Sequence, residues 1–431
     1  MTLLSFTVSN HKSVRDEAVL DLTIPGWHTL HPHKGRTWAQ SALPVAGIFG
    51  PNASGKSNVI DALHYALSAV QASATEWLGL PAHPYEPFAL VPDDGLRPSR
   101  YEFDFVVEGI RHRYGFAMDE SGVTGETLEY LPSTRWRQLI SRDTRAGTLT
   151  FHTSLGAPFT PARRELILSR ATVLEHPQLS DISRALTEGI DVSRLGDNYR
   201  QYRLQAIIEA LSNGVLDLDG LATLLSIADV GIQKASLRED ELTPEAVEML
   251  AKIREIFPAD SPNEAKSLNE QVRRSLEFTH AGATDRSLPL QVESSGTVAW
   301  LALIVPAVDA LRNGGLLVVD EIDSSLHSHL VEVVLGYFMD ETVNRHGAQL
   351  IFTSHDTYLL GNDMRLKLSP EQVWFTEKDR EGATSLFSLA EFPRHKDANV
   401  ARRYLAGRYG ATPSPAPSMI HRILDEVPAT A

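Results

Sequence analysis

The chain alternates between short apolar runs and longer stretches with helical spacing of apolar residues. Three runs, "LPVAGIF" (43–49), "LLVV" (316–319) and "QLIFTS" (349–354), are mostly apolar. Runs of this length predict strands that are buried on both faces, as in a parallel sheet. "SNVIDALHYAL" after residue 56 and the apolar run after residue 297 instead predict helices. The pattern therefore predicts an α/β fold.

Between these runs the pattern changes twice. Residues 100–152 alternate polar and apolar positions around turns at Glu108-Gly109 and Ser121-Gly122, which predicts an antiparallel β meander. Residues 161–276 read as mostly helical, for example "YRLQAIIEALSN" (202–213) and "TPEAVEMLAKIREIF" (243–257). No heptad pattern persists beyond about three repeats, so a helical lid is expected here and not a long coiled coil.

A chain of 431 residues exceeds the usual single core, so more than one lobe is expected. We predict four parts. They are an N-terminal head part with a phosphate loop and the β meander (1–160), a helical lid lobe (161–285), a C-terminal head part (286–410) and a tail containing "ATPSPAPS" (411–431).

Composition narrows the class of protein. The net charge of −15 argues against a surface that is basic throughout, so nucleic acid would have to bind at a local patch. Without cysteine there is no disulfide and no thiolate metal site. No apolar run has the length of a membrane span, and the N-terminus lacks the pattern of a signal peptide. A cytoplasmic location without membrane contact is expected.

"GIFGPNASGKSN" (47–58) contains G-x-x-x-x-G-K-[ST] between a predicted strand and a predicted helix. In this context backbone N–H groups and the helix N-terminus surround phosphate, the lysine reaches the outer phosphates, and the serine hydroxyl can ligate Mg²⁺. The loop is predicted to bind a nucleoside triphosphate, taken as ATP. The contacting residues would be Gly50, Pro51, Asn52, Ala53, Ser54, Gly55, Lys56, Ser57 and Asn58.

Hydrolysis requires carboxylates, and "LLVVDE" (316–321) supplies two of them at a strand end. If this strand lies beside the loop strand and parallel to it, Asp320 would hold Mg²⁺ together with Ser57, and Glu321 would polarise the attacking water. A surface acidic turn is the simpler reading of an isolated Asp-Glu pair.

Two further fragments fit a nucleotide site. Ser294, Ser295, Gly296 and Thr297 start an apolar helix, and His355 follows the third buried run. A helix cap and a packed histidine are the simpler readings. The order of the four motifs, however, is that of ABC-type ATPases.

With these motifs in place, the chain resembles AAA-type, ABC-like ATPases of bacterial abortive-infection and restriction-linked defence systems. These are relatives of the ATPase part of the overcoming-lysogenisation-defect proteins and share a head architecture with the structural-maintenance-of-chromosomes proteins. The stretches that carry the resemblance are "LLSFTVSNHKSVRD" (3–16), "GIFGPNASGKSNVIDAL" (47–63), "LLSIADVGI" (224–232), "ESSGT" (293–297), "LLVVDEIDSSLHSHL" (316–330), "IFTSHD" (351–356), "QVWFTEKDREGATSLFSL" (372–389) and "YLAGRYGATP" (404–413).

The resemblance implies an ABC-type head in which two protomers, arranged head to tail, enclose two nucleotides. The ESSGT turn, residues 294–297, would act in trans on the nucleotide of the partner. His355 would sense the γ-phosphate, and Ser324, Ser325 and His327 would pass signals across a homodimer or a higher even oligomer. Lys12 would lie close to the nucleotide, although His11 stands where the family has an aromatic residue, and "PYEPF" (84–88) lacks the family's glutamine.

The basic segment 394–410 contains Arg394, Lys396, Arg402, Arg403 and Arg408 beside Tyr404 and Tyr409. It predicts a nucleic-acid contact, a partner surface or simply a solvated helix.

Three functions remain open at this stage. The first is a defence switch that controls a separately encoded nuclease or toxin, and the second is a DNA repair or recombination ATPase. The third, a transporter subunit, fits the ESSGT turn and the N-terminal segment least well.

Overall fold

The computed structural model confirms the α/β class, with two large sheets and helices around them. It describes residues 1–27, 29–90, 97–195, 207–208, 210–211, 214, 216–228, 231–241, 272–282, 286–393 and 399–412. The predicted helix at 243–257, the residues Arg394 and Lys396, and the tail from 413 onward lie outside these ranges. Across the described ranges no long coiled coil is present.

The first sheet has seven antiparallel strands in the order β2-β1-β4-β5-β6-β7-β8. The turn between β4 and β5 places Glu108 and Gly109 at φ of 51° and 77°, the left-handed conformations of a two-residue hairpin turn. The predicted meander is confirmed. The strands are β1 (Thr2–Ser9), β2 (Ala18–Asp21), β4 (Ser99–Val107), β5 (Ile110–Asp119), β6 (Gly122–Leu131), β7 (Arg137–Asp143) and β8 (Thr148–Phe151).

The second, central sheet has the order β16-β15-β3-β14-β13-β9, and only β16 is antiparallel to its neighbour. Its strands are β3 (Val45–Phe49), β9 (Ile190–Arg194), β13 (Leu316–Asp320), β14 (Gln349–Ser354), β15 (Val373–Lys378) and β16 (Thr384–Ser388). The prediction that the acidic strand lies directly beside the loop strand is wrong. Every residue of β14 is buried, and this strand lies between β3 and β13.

Among the described residues the helices with given bounds are α1 (Lys56–Ala72), α2 (Ile167–Val173), α3 (Pro177–Thr187), α4 (Leu218–Ile227), α5 (Ser295–Asn313), α6 (Ser328–Met339) and α7 (Val400–Leu405), and residues 207–208 and 210–211 are also helical. Helix α1 packs in one core with the first sheet, through Leu63 and Phe103 among others. Helix α5 is long and apolar enough to cross a membrane, but 61% of its most apolar window is buried inside the protein. Fully buried residues such as Trp300 and Leu301 therefore make it a core helix.

The described part of 161–285 contains both helices and strands, and the extent of a helical lid stays a prediction. Helices α2 and α3 contact α1, and β9 pairs with β13 in the central sheet. Strands β10 (Ile232–Glu241), β11 (Val272–His280) and β12 (Ser287–Pro289) form a third, antiparallel sheet. In β11 the buried Leu276 and Phe278 alternate with less buried residues, a period of two that indicates a strand.

Gln349 connects the two large sheets. Its side-chain amide is buried, accepts a hydrogen bond from Leu3 N (2.7 Å) and donates one to Leu3 O (2.9 Å). These two bonds satisfy the backbone of Leu3 in the way that a neighbouring strand would. The N-terminal strand is thereby held against the central sheet.

Glu126 fixes α2 to the first sheet. Its buried carboxylate accepts hydrogen bonds from Ile167 N (2.8 Å) and from the Tyr114 hydroxyl (2.9 Å). Burial raises the pKa of Glu126 to about 7, although the hydrogen bond from Ile167 and the charge of Arg142 oppose the shift. The start of α2 therefore depends on this one side chain for the satisfaction of its first N–H groups.

Candidate nucleotide-binding site

The phosphate loop lies between the carboxyl end of β3 and the start of α1, and its glycines leave no room for side chains. Gly55 has φ of 105°, and a Cβ there would lie 2.1 Å from Thr384 Oγ1. A Cβ at Gly50 would lie 2.6 Å from Thr376 Oγ1. Both positions therefore require glycine, which explains two of the fixed letters of the motif.

Hydroxyl groups from distant segments support the back of the loop. Thr384 Oγ1 donates to Ser54 O (2.9 Å) and lies 2.7 Å from Ser13 Oγ. Thr376 Oγ1 lies 2.6 Å from Ser54 Oγ, and Asn58 Nδ2 donates to Ser13 Oγ (2.5 Å). Both threonines lie in the stretch 372–389 that carried part of the family resemblance, but nothing in the sequence indicated this role for them or for Ser13.

Lys56 is buried beneath the loop, with 5% of its surface exposed. Its ammonium group donates to Gly50 O (2.8 Å) and Pro51 O (3.0 Å) and lies 3.2 Å from His355 Nδ1. Burial lowers the pKa of Lys56 to about 8, even though the carboxylates of Asp320, Asp323 and Glu321 act in the opposite direction. Lys56 and His355, both predicted as site residues, are therefore in contact.

Asp320 and Ser57 face each other across the site. Ser57 Oγ donates to Asp320 Oδ1 (3.1 Å), and Thr353 Oγ1 donates to the same oxygen (2.6 Å). The 3.1 Å separation is close to the ~3 Å between adjacent oxygen ligands of an octahedral Mg²⁺ with bonds of about 2.1 Å. These two residues therefore fit a magnesium ion.

Glu321 follows Asp320 in the left-handed conformation, with φ of 58°. Its N–H donates to Thr353 Oγ1 (2.7 Å), which holds this unusual backbone in place. Non-glycine residues in this region cluster at functional sites because the surrounding structure must impose the conformation. Thr353 thus positions both acidic residues, a role that no pattern in the sequence indicates.

Asp323 is a third carboxylate of the site that the sequence analysis left out. Its Oδ2 accepts a hydrogen bond from His355 N (3.2 Å). Its Oδ1 is buried and has no hydrogen-bond partner among the described residues. A buried carboxylate oxygen without a partner is costly, which indicates a water or ligand at this position.

The turn 294–297 caps α5 and lies against the loop after the acidic strand. Ser294 Oγ accepts from Thr297 N (3.1 Å), as a helix cap does. A Cβ at Gly296 would lie 3.3 Å from Ser325 O. Ser324 N donates to Glu321 O (2.9 Å), and His327 caps α6. No hydrogen bond joins this turn to the phosphate loop in the described part of the chain.

Lys12 lies beside α1 with φ of 47°. Its ammonium group is 2.6 Å from Asp61, one helical turn after Ser57, and 3.0 Å from Glu86. His11 is buried and bonds both Asp61 (3.0 Å) and the Tyr101 hydroxyl (2.9 Å), which shows how the chain accommodates a histidine there. Contact of Lys12 with a nucleotide stays a prediction.

Residues 45–361 match the family model described as "AAA domain, putative AbiEii toxin, Type IV TA system". The chain belongs to this family. The match covers the phosphate loop, the turn 294–297, the acidic strand and His355, and it excludes the first strands and the hairpin of β15 and β16. Among curated proteins, none matches the chain.

Solved structures of similar architecture include three Smc heads. One is an SmcHead bound to the C-winged helix domain of ScpA (13% identity, 90% of this chain and 97% of that chain covered, TM-score 0.46). A second is an Smc head with an extended coiled coil bound to the C-terminal domain of ScpA, from Pyrococcus furiosus (12% identity, 99% of this chain and 99% of that chain covered, TM-score 0.41). The third is an Smc head with a coiled coil and joint, from Pyrococcus yayanosii (12% identity, 95% of this chain and 99% of that chain covered, TM-score 0.39). At these values the likeness identifies no activity or partner of this chain.

In the basic segment 394–410, the two tyrosines are not placed for the predicted stacking on nucleic-acid bases. Tyr404 and Tyr409 are buried and stack on Phe375, with ring centroids 5.3 Å and 5.7 Å away. Neither ring is free to stack on a nucleic-acid base. Arg402 and Arg408 are exposed. Base stacking by the two tyrosines is excluded, while phosphate contact, a partner surface and a solvated face stay predictions for the described part of this segment.

We expect the affinity for nucleoside triphosphate to fall as the pH rises above 8. Lys56 has a pKa of about 8 in the free protein, and phosphate charge raises the pKa of a nearby ammonium group. Binding above pH 8 must therefore take up a proton, and the dissociation constant should rise by up to about tenfold per pH unit. Titration calorimetry between pH 7 and 9, in buffers of different ionisation enthalpy, measures both quantities.

Asp323→Asn provides a matched control for this prediction. Because the carboxylate of Asp323 raises the pKa of Lys56, its neutralisation should move the onset of proton uptake to lower pH. An affinity that stays constant to pH 9 without proton uptake would contradict the assignment of the titrating group.

Proposed function

We propose that this chain is an ATP-binding and ATP-hydrolysing dimeric switch of a bacterial anti-phage system, located in the cytoplasm, that controls a separately encoded nuclease or toxin. The observation that carries the proposal is the meeting of Lys56, Asp320 and His355 at the carboxyl edge of three parallel strands. In open α/β sheets this edge is where ligands bind.

Each group of the site has a chemical role in the proposed reaction. Lys56 neutralises the outer phosphates, and Ser57 and Asp320 would hold Mg²⁺, whose charge would balance that of the phosphates. Glu321 accepts a proton from the attacking water. His355, 3.2 Å from Lys56 Nζ, contacts the terminal phosphate. Asp323 positions His355 through its backbone N–H.

The geometry of the turn 294–297 supports a shared site. The turn forms the N-terminus of the 19-residue helix α5, whose first N–H groups and dipole favour phosphate. No hydrogen bond links it to its own phosphate loop within the described residues, which fits a turn that serves the phosphate of a second copy. Ser325 O lies near Gly296 and Ser324 bonds Glu321, so the loop 324–327 connects the turn to the acidic strand of its own protomer.

Family membership supports the defence role, since the family description names a toxin and a toxin–antitoxin system. A direct DNA-processing ATPase is the alternative. The burial of Tyr404 and Tyr409 and the net charge of −15 speak against it, because the two tyrosines were the aromatic part of the predicted nucleic-acid contact.

Glu321→Gln should bind ATP normally and hydrolyse it roughly a hundredfold more slowly, because the amide cannot accept the proton of the attacking water. Filter binding and phosphate release, with the partner protein present, measure the two effects. Lys56→Ala should lose binding. Glu341→Gln, an exposed acidic position with the same chemical change, is the control. Wild-type turnover in Glu321→Gln would remove this residue from the role.

A mixture of Lys56→Ala and Gly296→Asp protomers should recover part of the ATPase activity that each variant lacks alone. A heterodimer keeps one site with an intact phosphate loop and an intact turn, whereas either homodimer has none. Phosphate release as a function of mixing ratio is the measurement, with heterodimer formation verified by differently tagged chains. Absence of recovery in verified heterodimers would mean that the site is not shared.

Protection against phage should require this chain, its neighbouring gene product and an intact phosphate loop. ATP can change the dimer population only through its different affinity for the closed and open states. Plaque counts on cells that express each protein alone, the pair, and the pair with Lys56→Ala test the requirement. Full protection by the neighbour alone, or by the Lys56→Ala pair, would overturn the switch. Nuclease activity of the purified chain would favour the DNA-processing alternative.

A further inference from the structure

Glu293 is a buried carboxylate at the base of the turn 294–297. Its side chain is 5% exposed, whereas Ser294 and Ser295, which follow it, are exposed. Of the residues 291–296, each of which the structure describes, only Glu293 is buried. The segment that carries the turn is therefore held inside the protein at this one side chain.

One partner of this carboxylate is His280, the last residue of β11. His280 Nε2 lies 2.8 Å from Glu293 Oε1. An ionised carboxylate can only accept hydrogen bonds, so the imidazole N–H is the donor. Burial of a carboxylate is costly unless donors replace the water that it loses. His280 therefore supplies part of the compensation that keeps Glu293 inside the protein.

The imidazole of His280 belongs to a strand that packs on α5. Alternate residues of a strand point to one face, so His280 follows Leu276 and Phe278 on the same face of β11. Leu276 and Phe278 are fully buried in the core that also contains Trp300 of α5. On the other strand, Ile232 of β10 pairs with His280. The imidazole therefore extends from a packed support toward the start of α5.

The contact between His280 and Glu293 differs from the cap of α5. In the cap, Ser294 Oγ accepts from Thr297 N, and Glu293 lies one residue before the cap. The glutamate of a capping box lies three residues after the cap and accepts from the N–H of the cap residue. Glu293 instead accepts from a strand of the third sheet. The pair therefore fixes the turn relative to that sheet, in addition to the cap.

Geometry also explains why a charge is buried at this position. A buried ion pair seldom adds stability compared with apolar residues of the same volume, but it requires one arrangement of its partners. The two serines that follow Glu293 are exposed and have no packing of their own to define their position. The directional bond to His280 supplies the definition that packing does not.

We propose that His280 is a positioning residue for the turn 294–297, which it holds through Glu293 in the orientation that the shared site requires. A turn that serves the phosphate of a second copy must be oriented before the two copies meet, and a misplacement of about 1 Å can lower turnover roughly a hundredfold. The effect on turnover rests on the proposed function, whereas the hold on the turn does not.

The hold on the turn can be measured in the full chain without nucleotide. The chain has no cysteine, so Ser295→Cys provides a single site for a nitroxide spin label. In the electron paramagnetic resonance spectrum, His280→Leu should speed the motion of the label roughly twofold, because a segment that loses a buried contact opens more easily. His280→Gln should restore the wild-type spectrum, because its side-chain amide offers an N–H in place of Nε2.

Glu293→Leu tests the same contact from its other side. It removes the buried charge together with the acceptor, and it should mobilise the label as His280→Leu does. The matched control is His346→Leu, since His346 is exposed and its backbone lies near Gly314 at the opposite end of α5. Thermal melting identifies any variant that fails to fold.

Turnover should change in the same variants. His280→Leu should release phosphate at least roughly tenfold more slowly with an ATP affinity within about twofold of the wild type, since only the turn is displaced. His280→Gln should recover most of the activity. A mixture of His280→Leu with Lys56→Ala should gain activity, whereas a mixture with Gly296→Asp should not, because those two changes affect the same turn.

An unchanged spectrum in folded His280→Leu or Glu293→Leu would overturn the positioning role. So would an effect of His346→Leu as large as that of His280→Leu, or a loss of ATP affinity as large as the loss of turnover. A mobile label that His280→Gln restores, in a protein whose mixtures of Lys56→Ala and Gly296→Asp gain no activity, would reject the shared site but support the hold on the turn.

Discussion

The buried ammonium group of Lys56 is the interaction on which the site depends. A cation with little access to solvent requires acceptors, and the two loop carbonyls provide them at hydrogen-bond distance. The nearby carboxylates offset only part of the desolvation, which is why the pKa of Lys56 is lowered. A bound triphosphate would replace the missing solvent with negative charge. The loop is thus organised around a cation whose environment is incomplete without phosphate.

That arrangement requires both ends of the chain. The loop belongs to the N-terminal part, but its back is supported by Thr376 and Thr384 from the C-terminal hairpin. Asp320 ends β13 and His355 follows β14, two strands from the C-terminal part that lie on one side of β3 in the sheet. The N-terminal strand β1 is in turn held by Gln349 of β14. The two predicted head parts are therefore separate in the sequence but not in the structure, because strands of both parts form the same central sheet.

The sequence predicts which segments form strands and motifs better than it predicts which strands lie side by side and which side chains are in contact. The strands that bear the loop, the acidic pair and His355 were found from their apolar runs, and the meander from its alternation and its turn at Glu108. Strand order could not be predicted, because an apolar run does not reveal which buried strand lies beside it. The strand β14 was predicted, but its position between β3 and β13 was not. The roles of Thr353, Thr376 and Asp323 in the site could not be predicted, because each role depends on hydrogen bonds to residues that are distant in the sequence or on local geometry that no motif specifies. The burial of Tyr404 and Tyr409 could not be predicted, because a basic segment gives no sign of which aromatic rings turn inward.

The strand order also determines when the protein can become active during its synthesis. Val45 of the loop strand pairs with Leu350, so the central sheet cannot close until almost the whole head has left the ribosome. Contacts between such distant segments slow folding, and domains usually form from the N-terminus onward. Until Thr384 arrives, the back of the phosphate loop lacks its support. A truncated or stalled chain would therefore be unable to bind nucleotide, and the topology itself would keep incomplete copies inactive.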